Sequence, residues 1–206
     1  LGYSKSDIVD EYYEKENFSY DSKIKKWKTK FNPENYKAKN FSEEVVDAKT
    51  GKTVVKLGEK INFLNAKKLF NEGLKEIHVS NKSLYGKFLH KEVKINEEED
   101  GILKIGTELN ETILESIIEA NIKDILISTT NSINKGHYLL QTVLSDKNQT
   151  KNEAITEIYK VLRPGEPPTP EIANQIFQNL FFSSDRYDLS DVGRVKMNSR
   201  LNLECS

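Results

Sequence analysis

The chain has 206 residues, 36% of them hydrophobic and 31% charged, with 31 basic against 32 acidic side chains and a formal charge of −1. That is enough for one large domain or two small ones with real cores, and the near-neutral balance argues against a free-standing protein that coats nucleic acid, which needs a positive excess to displace counterions from phosphates. Cys205 is the only cysteine, which excludes a disulfide framework and a cysteine-based zinc site. No apolar run approaches the roughly 18 residues of a membrane helix and no signal peptide is present, so a cytoplasmic chain that spans no membrane is expected.

Ser6 to Lys15 reads as a helix capped by Ser4 or Ser6, with Ile8/Tyr12 and Val9/Tyr13 as apolar pairs one turn apart. Phe18 and Tyr20 then alternate as in a strand, lysines crowd around Trp27, and Asn32-Pro33 blocks any helix there. Lys49-Thr-Gly51-Lys is a hairpin turn between Val45-Val46 and Val54-Val55.

The middle of the chain carries an internal repeat, residues 54–80 aligning without gaps on 102–128. Lys56-Leu-Gly58-Glu-Lys-Ile61-Asn62 matches Lys104-Ile-Gly106-Thr-Glu-Leu109-Asn110, and Leu74-Lys-Glu-Ile77 matches Ile122-Lys-Asp-Ile125. Each unit reads strand, glycine turn, amphipathic helix, strand, with Asn62 and Asn110 as N-caps and Gly73 and Asn121 as left-handed residues closing the helices. The pattern predicts a duplicated module sharing one core. Between the copies, Ser83–Leu89 and Val93–Ile95 read as short strands and Glu97–Gly101 as an acidic turn; Asn131–Asn148 reads as a polar, turn-rich crossing.

The last quarter is helical. Ile155, Ile158, Tyr159 and Leu162 form one stripe, and Pro164 with Pro167-Pro168 makes a stiff loop. Thr169 then caps a helix that starts with Pro170 and is expected to bury Ile172, Ile176, Phe177 and Leu180. Ser190 caps a third helix running to about Leu201.

Several chemical motifs fail on inspection. Gly51-Lys-Thr53 ends like a phosphate-binding loop, but Val46 stands where its first glycine belongs. His78, His90 and His137 have no ligand spacing, and His78 aligns with Leu126 as a strand-packing residue. Glu97–Asp100 lacks the spaced oxygens of a calcium cage, and no aspartate cluster could hold a pair of magnesium ions. The remaining candidates are cationic. Arg163 leaves a helix end on a rigid turn, where it either satisfies its own carbonyls or reaches a phosphate or base. Arg186 sits among Asp185 and Asp188, and Arg194, Lys196 and Arg200 fall on overlapping faces of the last helix, either facing DNA or merely solvated.

The stretches Arg163-Pro-Gly-Glu-Pro-Pro-Thr169 and Ser183-Ser-Asp-Arg-Tyr-Asp-Leu-Ser-Asp-Val-Gly-Arg-Val-Lys-Met-Asn198 closely resemble the lobe of the β subunit of bacterial DNA-directed RNA polymerase. The likeness runs from about Ile155 to Leu201, with a weaker echo in Leu1-Gly-Tyr-Ser and the helix after it. Both ends then read as cuts in a longer chain. The resemblance implies an α+β fold in which a helical lobe, 1–16 and 134–206, is interrupted by a β-rich, lineage-specific insertion at 17–133 made of repeated β–β′-module-like units. It implies a gate loop at 160–168, including Arg163, Pro164, Gly165, Glu166, Pro167 and Pro168, which restricts access to the DNA channel. Arg163 and Arg186 match lobe arginines that contact nontemplate DNA, and Arg194, Lys196 and Arg200 complete the expected DNA-binding set.

The implied activity belongs to the whole nucleotidyltransferase. This segment contributes no catalytic residue and no metal or cofactor site, the magnesium being held by another subunit. Implied partners are the β′, α and σ subunits and DNA, with regulators entering the secondary channel as further partners, in a nucleoid-associated cytoplasmic complex. The alternative function is a protein-interaction module whose insertion docks a transcription regulator; an independent small enzyme finds no supporting constellation.

Overall fold

The computed structural model describes residues 2–36, 39–40, 44–56, 58–96, 101–130, 135–186 and 188–203. The acidic run Glu97–Asp100, the start of the polar crossing at 131–134 and Cys205 lie outside them. Chain order begins α1 (Lys5–Tyr12), β1 (Lys15–Asp21), β2 (Lys26–Lys30), β3 (Lys39–Asn40), β4 (Val45–Asp47), β5 (Thr53–Val55), β6 (Lys60–Ile61) and α2 (Phe63–Asn71). It continues β7 (Glu76–Val79), β8 (Phe88–Leu89), β9 (Val93–Lys94), β10 (Ile102–Leu103), α3 (Glu111–Glu119), β11 (Asp124–Ser128) and α4 (Tyr138–Ser145). It ends with α5 (Lys151–Leu162), α6 (Pro170–Phe181) and α7 (Asp191–Leu201). The class is α+β, with every described strand pairing antiparallel. Contacts divide the chain into a larger unit, Tyr3–Asp146, and a smaller one, Lys147–Ser206 with Leu1–Gly2.

In the larger unit a seven-stranded sheet runs β5-β4-β7-β2-β1-β11-β8. Its centre is the β1–β2 hairpin, and each outer edge of that hairpin takes one strand, β7 on β2 and β11 on β1. The register puts Phe18 opposite both Thr29 and Ile125, and Trp27 opposite both Tyr20 and Val79. Side chains alternate between faces along a strand, so these residues share one face while Ser19, Lys28, His78 and Asp124 share the other. The apolar face carries two cores. Phe18, Trp27, Leu109, Leu114, Ile117, Ile125 and Ile127 pack into one, and Phe31, Val45, Val55, Ala66, Leu74 and Ile77 into the other. Fully burying side chains of this kind contributes about 1.5–3 kcal/mol each, which makes α3 and α2 stable only on the sheet.

The two helices end alike. Asn62 accepts the Asn65 amide at 2.8 Å and Asn110 the Ile113 amide at 2.9 Å. At the other end the Leu74 amide returns to the Leu69 carbonyl and the Ile122 amide to the Ile117 carbonyl, with Gly73 (φ 113°) and Asn121 (φ 57°) in positive-φ conformations. Such closures satisfy the last carbonyls of each helix. The hairpin turn at Gly51 also forms as read, with β4 and β5 paired and Gly51 at φ 69°.

In the larger unit three readings change. The crossing over 131–148 contains α4, whose Leu140 and Val143 are buried against Val9 and Tyr13 of the α1 region. His137 provides no side-chain cap at its start, and Gly106 must lack a side chain because a Cβ would lie 2.6 Å from the Leu140 carbonyl oxygen. Tyr12, expected to pack with Ile8, is exposed, because the helix ends there and only Val9 and Tyr13 turn inward. Of the strands read at Ser83–Leu89, only β8 forms, preceded by a 3₁₀ turn at Asn81–Leu84.

In the smaller unit α5 and α6 pack through Ile155, Tyr159, Ala173 and Phe177. Ile172 and Leu180, expected in the interface, are exposed; the short Ala173 takes the contact position and lets the helices approach. The pair is antiparallel, since Lys151 at the start of α5 lies with Gln178, Phe181 and Phe182 at the end of α6.

A buried polar clasp fastens α1 to the sheet. His90, fully buried, places Nδ1 2.9 Å from Ser128 Oγ and Nε2 3.0 Å from Asp10 Oδ1, and Lys15 pairs with the same Asp10 oxygen. The Lys15 and His90 hydrogen bonds hold the Asp10 carboxyl down to about 2. A depressed acid stabilises the fold above its unfolded value of about 3.9, and the gain disappears as pH falls through its folded value. Asp10→Asn is therefore expected to destabilise the protein near neutral pH, with the gap to the unsubstituted chain closing as pH approaches about 2; urea melts across that range would test it. Leu114→Ala, which opens a cavity under α3, is expected to cost about 2–5 kcal/mol in the same assay.

Candidate nucleic-acid interface

Thr150 and Glu153 close a capping box that starts α5, and Arg163 ends it, its amide donating to the Tyr159 carbonyl at 2.8 Å. Pro164 and Gly165 (φ 90°) then reverse the chain, and the Glu166 amide donates to the Arg163 carbonyl at 3.4 Å. Glu166 locks this turn with both oxygens. Oε2 accepts the Tyr159 hydroxyl at 3.0 Å, and Oε1 lies 3.5 Å from the Arg163 guanidinium. The Glu166 hydrogen bond, with burial behind it, raises the Tyr159 phenol above its ordinary range, so the hydroxyl stays a donor. Pro167 and Pro168 fix the chain onward to Thr169, whose hydroxyl accepts the Ile172 amide and starts α6.

Arg163 keeps more than half of its side chain exposed, at 57%. It does help end its own helix, but through its backbone; the guanidinium faces Glu166 and solvent. An exposed pair of this type contributes only about 0–1 kcal/mol, so a phosphate can replace Glu166 at little cost. Arg186 lies in the turn after α6, its amide donating to the Ser183 carbonyl at 3.1 Å. It is exposed and makes no ion pair among the described residues, so the internal salt bridge weighed from sequence does not form there. The antiparallel helices put Arg163 and Arg186 beyond opposite ends of α6, a 12-residue helix about 18 Å long.

Arg194, Lys196 and Arg200 are exposed on α7, which Ser190 caps as expected. At about 100° per residue, Lys196 and Arg200 are roughly 40° apart on one face, whereas Arg194 is roughly 160° from Lys196. The three cannot form a single strip, because the i,i+2 spacing of Arg194 and Lys196 sends them to opposite sides. Val192 and Val195 are exposed on the same helix, and Phe181 and Phe182, whose rings meet Phe177 at a tilt, are exposed at the end of α6.

The clasp Asp10–His90–Ser128 has the composition of a hydrolytic triad and was not legible in the sequence. Its members lie far apart along the chain and meet only because Ser128 pairs with Lys15 across β11 and β1. Ser128 is 2% exposed, so no substrate carbonyl can reach its hydroxyl, and the network fastens rather than reacts. His78 packs within β7 and His137 stacks on Phe88. Among the described residues no three His, Cys, Asp or Glu side chains converge where they could hold a metal ion, and no helix is long and apolar enough to cross a membrane.

The arrangement can therefore present separated cations to a polyanion, and comparison with known proteins gives that chemistry a setting. The family described as RNA polymerase Rpb2, domain 2, matches residues 102–206. The chain is 39% identical over all 206 residues to the DNA-directed RNA polymerase subunit beta of Rickettsia felis (strain ATCC VR-1525 / URRWXCal2). It is 40% identical to the same subunit of Rickettsia massiliae and 38% to that of Rickettsia prowazekii (strain Madrid E). Each comparison covers 100% of this chain and 15% of the relative, so the chain spans about 15% of the length of the curated relatives it matches. The chain belongs to the bacterial RNA polymerase β-subunit family, and its second half carries that family's Rpb2 domain 2.

Proposed function

We propose that the chain is the non-catalytic lobe region of a polymerase β subunit, forming one side of the DNA channel, controlling access to it and holding nontemplate DNA. The observation that carries this reading is the turn at Arg163–Glu166, pinned by Tyr159 and stiffened by three prolines, which offers an exposed guanidinium on a support that does not yield. A gate has to resist displacement, and a phosphate contact has to be held in place. Residues 160–168 act as the gate loop; Arg163 and Arg186 contact the displaced strand from opposite ends of α6. Lys196 and Arg200 add a cationic edge, and Arg194 contacts DNA separately from them. Nucleotide addition and its magnesium belong to the rest of the enzyme, in which the β′, α and σ subunits are the partners, within the nucleoid-associated cytoplasmic complex.

The division into lobe segments 1–16 and 134–206 around an insertion at 17–133 draws support from how the insertion's ends meet. Lys15 pairs with Ser128, the Thr129 amide donates to the Glu14 carbonyl at 2.8 Å, and the Tyr13 hydroxyl donates to the Gly136 carbonyl at 2.7 Å. A segment whose two ends lie side by side can be added to a fold without disturbing its flanks. The matched caps, helix closures and outer strands of 54–80 and 102–128 support a duplicated β–β′-module-like unit inside it. The adjacency of its ends is compatible with a second role, the docking of a transcription regulator that enters the secondary channel.

In the intact enzyme, Arg163→Ala and Arg186→Ala are each expected to shorten open-complex lifetime while leaving the rate of nucleotide addition unchanged; unaltered lifetimes in both would remove the DNA contacts. Tyr159→Phe frees Glu166 and is expected to speed amide exchange at Gly165 and Glu166. Deleting 17–133 should spare basal transcription and abolish a regulator's effect, and loss of basal transcription would argue against a separable insertion.

A further inference from the structure

We propose that the outer face of the seven-stranded sheet in the larger unit binds nucleic-acid backbone phosphates in a lysine-lined trough, separate from the arginines of the smaller unit. The trough, of about 650 Å³, crosses the polar side of the sheet. Lys49 and Lys75 line one end, Lys23 and Lys123 the other, with Lys28 and His78 between. Lys49 follows β4 and Lys123 precedes β11, strands four steps apart in the sheet, so the cations spread over roughly 19 Å at about 4.8 Å per step.

The acids of the trough are already engaged within it. Asp47 accepts the Lys49 amide at 2.9 Å and the Thr50 hydroxyl at 2.5 Å of its own turn. Asp21 accepts the Lys23 amide at 2.9 Å, and Glu76 lies 3.5 Å from Lys28. Lys75 rests on the Phe70 ring, 3.3 Å from its centroid. That leaves Lys23, Lys49 and Lys123, all exposed and without an ion pair among the described residues. His78, 4% exposed, forms part of the trough floor beside Lys28, so the lysines stand over a flat polar surface that a backbone can lie across.

The chemistry favours phosphates over an acidic peptide. Apart from Ala48 the trough offers no aliphatic side chain, and the Tyr20 ring is turned to Trp27 on the opposite face. A peptide would find no apolar anchor there, whereas backbone phosphates need only spaced point charges. No aromatic face is presented for stacking, so the contact is to the backbone and not to bases.

The test is lysine acylation footprinting of the assembled polymerase, with and without duplex DNA. Duplex is expected to protect Lys23, Lys49 and Lys123, but not the exposed Lys67, Lys82 and Lys91 outside the trough, with protection reversed by high salt. The combined Lys23→Gln, Lys49→Gln, Lys123→Gln variant is expected to reduce the slope of log affinity against log salt by up to roughly 2.7, at about 0.9 per phosphate contact. The same substitutions at Lys67, Lys82 and Lys91 should leave that slope unchanged. Absence of protection, equal protection of the control lysines, or protection by polyglutamate and not by DNA would each overturn the proposal, the last in favour of an acidic protein partner. Arginine is not acylated, so the outcome is independent of the roles given to Arg163 and Arg186.

Discussion

The larger unit depends on the pairing of β1 with β2 on one side and β11 on the other. The first pairing is a local hairpin; the second joins Lys15 to Ser128 and must offset the entropy of closing everything between them. What offsets it is register. With Phe18 opposite Ile125 and Thr29, a slip of β11 by one residue would turn Ile125 and Ile127 to the polar face while Phe18 stayed on the apolar one, so one alignment is strongly preferred. The same alignment delivers Ser128 to His90 and Asp10, and brings α4 against Val9 and Tyr13.

From that hairpin the unit grows outward in two directions by similar means. β7 and β11 each follow a helix with an asparagine cap and a closing turn, and each adds to one edge of β1–β2. The two sides are not equivalent in what they must tolerate. Gly58 has open space around a would-be Cβ, whereas Gly106 abuts the Leu140 carbonyl. A glycine kept for a turn on one side is thus kept for close packing on the other, where α4 covers it.

Much of this was legible because it is local. Ser4, Asn62, Asn110, Thr169 and Ser190 cap where a short polar side chain precedes an amphipathic run, and the Gly51 hairpin carries its signal in adjacent residues. What failed depends on distant partners. α4 has no side-chain cap, and its apolar residues make sense only once Val9 and Tyr13 are beside them. Ala173 outranks Ile172 at the α5–α6 contact because closeness of approach, not hydrophobicity, decides that position. On the candidate interface, the pinning of Glu166 by Tyr159 follows from a turn geometry that spacing alone did not reveal, and the lysine trough exists only in the register that aligns Lys28 with His78.

The kinds of cation used in the two units carry the last step. All four arginines, Arg163, Arg186, Arg194 and Arg200, belong to the smaller unit, and the larger unit's basic side chains are lysines and histidines. A guanidinium is a planar fork whose bonds to phosphate depend on orientation, so it gains most where the backbone beneath it is held, as Pro164 and Glu166 hold Arg163. An ammonium is a point charge on a flexible stem and tolerates a partner that slides or turns. The smaller unit is thus suited to holding a strand at defined points, while the trough is suited to diffuse attraction without sequence or register. A polymerase that must admit DNA, hold it open and then let it advance has use for both, provided the positioned contacts and the sliding ones are on different surfaces.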